Sequence, residues 1–423
     1  MPSRARRVLL GAAVAAPVAA WLARPAERGG PHAPYFQQLS RALRQAGIAQ
    51  ARLVIDLPRL RANLAAIGAH RAKTGMSLRA VLKSLPSLPL MDELARAWDS
   101  PRVMAFNADQ LLQLLQARPQ AQVLLGKPLP AAAAAQLLQA LPREQGAGIE
   151  WLLDTPERLA QYRELAAQRG QVLRANLEID VGLHRGGFED EAALGAALKS
   201  LQSGPLRWSG FMGYDAHVSA LPELAGLRSQ AWDESQRRYR AAWAVAEAAL
   251  GPQRREALTL NTAGSPTFRL HDGRGVANEV SVGSAALMPQ DFDKPLLADL
   301  QPAAFIATPV LKSWPCFRLP EGVTWLSRLA QTWDPNQARG FAIHGGHWLA
   351  QPVSPPGIAP SGLYGPSSNQ QVMVGSEQIA LRPDDHVFFR PQQSEAVLLQ
   401  FGDLLLYDGQ QISGSWPVLR PSA

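Results

Sequence analysis

Cysteine is almost missing from this chain: Cys316 is the only one in 423 residues. A disulfide within the chain is therefore excluded, as is a zinc site built from several thiolates. Charge is sparse too, at 18% against 47% hydrophobic residues. A disordered chain would show the reverse balance. Glycine and proline, 34 each, stay below the range of collagen-like or low-complexity sequence. No internal repeat is present, and no basic stretch is interleaved with aromatics, so a nucleic-acid surface is not expected. Lysine is the scarcest cation. Only Lys73, Lys83, Lys127, Lys199, Lys294 and Lys312 stand among 42 basic residues.

The net charge of +7 is uneven, because residues 1–30 alone carry +4. Arg4, Arg6 and Arg7 precede an uncharged run from Val8 to Ala23. That run is short for a membrane span and contains Pro17. Residues 1–30 are expected to be an export signal, with Arg6-Arg7 resembling a twin-arginine pair, or an uncleaved anchor that contacts the membrane. Both readings put the globular part outside the cytoplasm, in a periplasmic or exported location.

From Arg52 onward the pattern alternates. Leu53-Val54-Ile55 reads as a strand, and Asp56 to Lys73 as a helix with Leu60, Leu64 and Ile67 on one stripe. Eight apolar β-type runs follow: Leu78–Leu82, Val103–Phe106, Val123–Leu125, Ile149–Leu153, Leu173–Ile179, Trp208–Gly213, Ala257–Leu260 and Val280–Gly283. Helical patterns separate them. This is the alternation of a (β/α)8 barrel, and equally of a doubly wound open sheet. From about Gln301 helical periodicity fades and short strands dominate, including Ala303–Leu311 and Ala396–Leu406. The expected domains are thus a leader (1–30), an α/β barrel (50–300) and a C-terminal all-β domain (301–423).

In a barrel, chemistry sits where strands end. Only Lys83 and Lys127 end expected barrel strands. Desolvated there, Lys83 would be a nucleophile for a carbonyl, although a lone lysine more often snorkels to solvent. After the seventh strand comes Asn261-Thr262-Ala263-Gly264-Ser265-Pro266-Thr267, and after the eighth Gly283-Ser284. Small and hydroxyl residues at those two loops suit a phosphate. An amine and a phosphate site together suggest a phosphorylated aldehyde, pyridoxal phosphate.

Several stretches resemble the fold-type III pyridoxal-phosphate enzymes, which include alanine racemase, D-threonine aldolase and eukaryotic-type D-serine dehydratase. Arg79-Ala80-Val81-Leu82-Lys83-Ser84 is similar to the segment whose lysine carries the cofactor. Glu178-Ile179-Asp180-Val181-Gly182-Leu183-His184-Arg185-Gly186-Gly187 is the most specific match. Gly213-Tyr214-Asp215-Ala216-His217 resembles the next strand end. The resemblance implies a (β/α)8 TIM barrel binding pyridoxal phosphate plus a C-terminal β-domain. It implies Lys83, Arg185 and His217 as catalytic residues. His184, Tyr214, Asn261, Gly264, Ser265, Thr267, Gly283 and Ser284 are the implied cofactor contacts. A small amino-acid substrate of D configuration and a homodimer follow by analogy.

Gly264-Ser265-Pro266-Thr267 and the ending Pro383 to Pro391 resemble the aldolase and dehydratase branch. The expected activity is a lyase or deaminase, with an amino-acid racemase and a non-catalytic carrier of the cofactor as alternatives. Two departures stand out. Where that branch carries a metal-binding His-x-Cys or His-x-Asp pair, this chain has Gln393, Ser394 and Glu395. Glu395 with His347 or His344 is the remaining candidate for a divalent metal. Ser281 stands where racemases place an arginine.

Overall fold

The computed structural model describes residues 24–420. Residues 1–23, most of the segment read as a leader, lie outside the described residues. Among the described residues no helix is long and apolar enough to cross a membrane.

The chain forms two compact units. One contains Ile55–Ala304, Pro391–Asp408 and the described residues from Ser413; the other contains the described residues to Val54, Phe305–Arg390 and Gly409–Ile412. Strand β1 (Arg52–Asp56) leads into the helix Leu57–Thr74, whose first turn Asp56 caps by accepting the Arg59 N–H at 2.9 Å. Eight parallel strands then close a barrel. They are β2 (Ser77–Val81), β3 (Arg102–Ala105), β4 (Gln122–Leu125), β5 (Glu150–Leu153), β6 (Leu173–Glu178), β7 (Leu206–Gly213), β8 (Thr259–Thr262) and β9 (Glu279–Val282). Closure is made by β9 lying parallel to β2, with Ala80 opposite Val282. The eight apolar runs read from the sequence are these eight strands, and the closed barrel excludes the open sheet. The strands are buried almost along their length, as parallel strands covered on both faces must be. Between them, helices start at local caps: Asn107 before Ala108–Ala117, Thr155 before Pro156–Gln168, Asp190 before Glu191–Ser200.

A charged cluster crosses the barrel interior. Arg79 and Glu279 are both buried, and the Arg79 guanidinium grips the carboxylate through Nε at 2.5 Å and Nη2 at 3.0 Å. Arg102 adds a third contact at 2.5 Å. Burial pushes the Glu279 carboxyl up, but the two arginines outweigh it and hold the group below the usual range. No local sequence pattern foretells this cluster, since Arg79 and Glu279 stand 200 residues apart.

The other unit is an antiparallel sheet. Its strands are β10 (Ala304–Trp314), β11 (Arg339–His344), β12 (Ala350–Ser354), β13 (Ala359–Pro360), β14 (Gln370–Gly375) and β15 (His386–Pro391). The nine-stranded sheet runs β13-β14-β11-β10-β1-β16-β17, where β16 is Leu404–Tyr407 and β17 is Ile412–Trp416, with β15 on β10 and β12 on β15. Besides β1, strand β10 pairs with β15 over Ile306–Pro309 and with β11 over Val310–Trp314. Phe341, Ile343, Met373, Val387 and Phe388 fill its core. The strand expected over Ala396–Leu406 is only β16 (Leu404–Tyr407). Before it the chain turns, because the Ser394 carbonyl accepts the N–H groups of Val397 and Leu398. By its contacts the stretch from Pro391 to Asp408 groups with the barrel unit, although its strand β16 pairs within the sheet.

Candidate functional site

A cavity of about 420 Å³ opens at the C-terminal ends of the barrel strands. Lys83 enters it from Leu82–Ser84, a single 3₁₀ turn directly after β2. Its ammonium lies 3.6 Å from Glu395 Oε1 and 4.7 Å from the centre of the Phe106 ring. The side chain is 42% exposed, so the burial expected to desolvate this amine is incomplete, and a carboxylate pairs with it. Lys127, the other strand-end lysine, lines the same cavity after β4.

Arg185 and Tyr214 line the same cavity. The Arg185 guanidinium lies 4.8 Å from the centre of the Tyr214 ring, a cation–π stack. Burial pushes the Tyr214 hydroxyl up, and Arg185 draws it partly back. Glu178 ends β6 beside them. Burial, reinforced by Asp154 and opposed by Arg185, pushes its carboxyl up to about 7. Both Asp154 and Glu178 line the cavity. Neither stands among the site residues that the sequence motifs imply. Their signal in the sequence is position: Asp154 follows β5 and Glu178 ends β6, at the barrel face where site residues gather.

The two loops after β8 and β9 complete the wall. Glycine is required at both. A Cβ on Gly264 would come within 2.7 Å of Tyr214 Cε2, and one on Gly283 within 2.8 Å of Val81 Cβ. Ser265 and Ser284 line the cavity. Ser265 Oγ also accepts the N–H groups of Gly283 (3.0 Å) and Ala285 (3.1 Å), which ties the loops together. Asn261 donates to both Ser281 Oγ (2.9 Å) and Glu279 (2.7 Å), so Ser281 at the cavity floor belongs to an amide network rather than to a cation.

Four of the residues anticipated for the site lie elsewhere. His184, in a left-handed conformation with φ 54°, turns outward and pairs with Asp180 at 2.7 Å and Glu189 at 3.8 Å. His217 does not line the cavity. It begins the helix His217–Ala220, burial lowers its pKa, and its Nδ1 is buried with no hydrogen-bond partner among the described residues. Thr267 is fully buried behind the loop rather than facing the cavity. His347 belongs to the sheet unit, where its N–H donates to Gln371 at 2.6 Å.

The donor set does not fit the metal anticipated at Glu395. Gln393 donates its amide to Asp291 at 3.1 Å. Glu395 is already matched by the Lys83 ammonium and accepts from Ser284 and Ser394 at 3.3 Å each. Among the described residues, one group of three His, Cys, Asp or Glu ligands comes together: Asp180, His184 and Glu189. Asp180 there is already taken by Arg238 and by the N–H groups of Gly182 and His184. Pyridoxal phosphate, by contrast, fits the cavity. An amine faces it, hydroxyls and side-chain-free backbone flank one end, and the Arg185–Tyr214 stack offers a flat wall.

The family model for the alanine racemase N-terminal domain matches residues 55–291, more than half of the chain. The chain belongs to this family. Its members use pyridoxal phosphate, and the barrel with a separate sheet domain is their architecture. Among solved structures, the D-threonine aldolase from Filomicrobium marinum is similar with a TM-score of 0.69 at 17% identity, over 88% of this chain and 97% of that one. The D-threo-3-hydroxyaspartate dehydratase from Delftia sp. HT23 gives 0.68 at 16%, over 89% and 98%. The alanine racemase from Bacillus anthracis gives 0.67 at 14%, over 87% and 98%. At these identities the likeness is one of fold. Comparison with curated proteins gives no match.

Proposed function

We propose that the chain is a pyridoxal-phosphate enzyme acting on a small amino acid, with a lyase or deaminase reaction on a D-configured substrate. The observation that carries this is the convergence of Lys83, Arg185, Tyr214 and the two glycine–serine loops on one cavity at the catalytic face of a barrel. When bound, the cofactor would hold the substrate's amino group and draw electron density from Cα.

The chain's own residues supply the rest. Lys83 would attach the cofactor and, once displaced, take or return a proton at Cα. The Ser265 and Ser284 hydroxyls would hold the phosphate where Gly264 and Gly283 leave room for it, consistent with anion sites after the last two strands of such barrels. Arg185 would brace the ring side of the cavity or pair with a substrate carboxylate, through a fork suited to two oxygens. Glu395 would orient the Lys83 amine. A homodimer and an exported location are proposed with it, the second on the basic leader of residues 1–30.

Racemisation is the second reading, and one observation favours it. Glu178, with its carboxyl near 7, gives the cavity a further group able to hold or release a proton at neutral pH.

The test is a visible spectrum of the purified protein before and after borohydride, with mass mapping of the adduct. A band near roughly 420 nm with the adduct on Lys83 supports the cofactor assignment. No band after adding pyridoxal phosphate sinks it. Incubation with D-serine, D-threonine and L-alanine, following keto acid, aldehyde and optical rotation, separates deaminase, aldolase and racemase.

A further inference from the structure

Behind the cavity lies a polar network that the reading above leaves unused. Asp215 follows β7 and is fully buried. One carboxylate oxygen accepts from Thr267 Oγ1 at 2.6 Å, the other from Nε2 of His271 at 2.7 Å. Thr267 Oγ1 in turn accepts the Gly264 N–H at 3.3 Å. The N–H groups of Thr267 and Phe268 both return to the Gly264 carbonyl at 3.0 Å, closing a tight turn. From that turn Ser265 Oγ accepts from Gly283 and Ala285. The ends of β7, β8 and β9 are thereby linked by one chain of hydrogen bonds, and His271 is itself set edge-on against Trp232 at 4.8 Å.

The residue types are those of a nucleophile relay, but the geometry is not. Thr267 is 0% exposed, and its hydroxyl donates to the carboxylate rather than to the imidazole. No substrate can reach it. A buried carboxylate is costly unless its lone pairs are satisfied, and here they are satisfied by the element that shapes the anion loop.

We propose that Asp215, with Thr267 and His271, is the positioning device that holds the Gly264–Ser265 turn open as an anion cradle, and so sets the cavity's preference for a phosphorylated over an unphosphorylated ligand. The inference rests on the cofactor reading for its ligand, pyridoxal phosphate. None of the three residues lines the cavity. They act through the turn, whose Ser265 hydroxyl, accepting from Gly283 and Ala285, must be oriented before an anion arrives.

The experiment compares full-length wild type with Asp215→Asn, Thr267→Val and Thr267→Ser, each freed of cofactor. Binding of pyridoxal phosphate and of pyridoxal is titrated, and the thermal shift given by inorganic phosphate is measured. Asn and Val are expected to weaken pyridoxal phosphate by about tenfold while leaving pyridoxal within about twofold, with Ser restoring the wild-type value. Equal weakening of both ligands, or no weakening of the phosphorylated one, overturns the proposal. Should Asp215→Asn fail to fold, His271→Gln is read in the same way. If wild type binds neither vitamer, the cofactor reading fails, and the phosphate shift decides alone. A shift lost in Thr267→Val upholds the cradle; no shift in wild type overturns it.

Discussion

Glu395 Oε1 stands 3.6 Å from the Lys83 ammonium, although the two residues lie more than 300 positions apart in the chain. Ser284 and Ser394, 2.8 Å apart, fix the carboxylate from behind. The cation at this point of the cavity is therefore a side chain. Dialysis against a chelator is expected to leave cofactor attachment unchanged, and elemental analysis of the holoprotein to find well under one divalent ion per chain. One tightly held ion per chain, lost in Glu395→Gln, contradicts this.

Lys83→Ala is expected to abolish the visible cofactor band. Lys127→Ala should keep the borohydride adduct, and mass mapping should still find it on Lys83. Both amines line the cavity, so an adduct on Lys127 in the wild type would reverse the assignment.

Glu178 makes stability depend on pH. Its carboxyl is raised to about 7 in the folded chain from an ordinary 4.5, with burial the largest cause. The folded state therefore favours the protonated form, so the contribution is complete below pH 4.5 and is lost as pH rises through 7. The expected loss across that window is about 3 kcal/mol. Denaturation of the cofactor-free protein from pH 4 to 8 should show that slope, and Glu178→Gln should flatten it. An identical slope in the variant would mean that another group is responsible.

Arg185 opposes that shift and stacks on Tyr214. Arg185→Met should move the Glu178 midpoint further up and weaken cofactor binding. Arg185→Lys should restore the charge but not the flat stack, since an ammonium cannot reproduce a guanidinium plane. Pyridoxal-phosphate affinity in the two variants, with the pH slope, separates the two contributions.

The Arg79–Glu279–Arg102 cluster carries a larger expected effect on stability. Glu279→Gln leaves the Arg79 guanidinium buried without its counter-charge, at a cost of about 3–5 kcal/mol in urea denaturation. A change below about 1 kcal/mol would indicate that the guanidinium is adequately served by its bonds to the Val103 and Gln122 carbonyls alone.

The sequence by itself determined the barrel strands, the capped helices between them and the lysine that ends the first strand. These are local quantities. Continuous apolar runs such as Val123–Leu125 and Ile149–Leu153 suit strands covered on both faces, and caps such as Asp56 act within three residues. Only the tertiary structure decided which side chains face the cavity. His184 and Arg185 are neighbours in one motif, yet a backbone at φ 54° turns His184 out to Asp180 while Arg185 lines the site. Glu395 reaches Lys83 because the chain from Pro391 to Asp408 folds with the barrel, and Glu279 meets Arg79 because β9 closes on β2. Hydrophobic periodicity specifies an element and its buried face; direction at a strand end and pairing across hundreds of residues are specified by closure and packing.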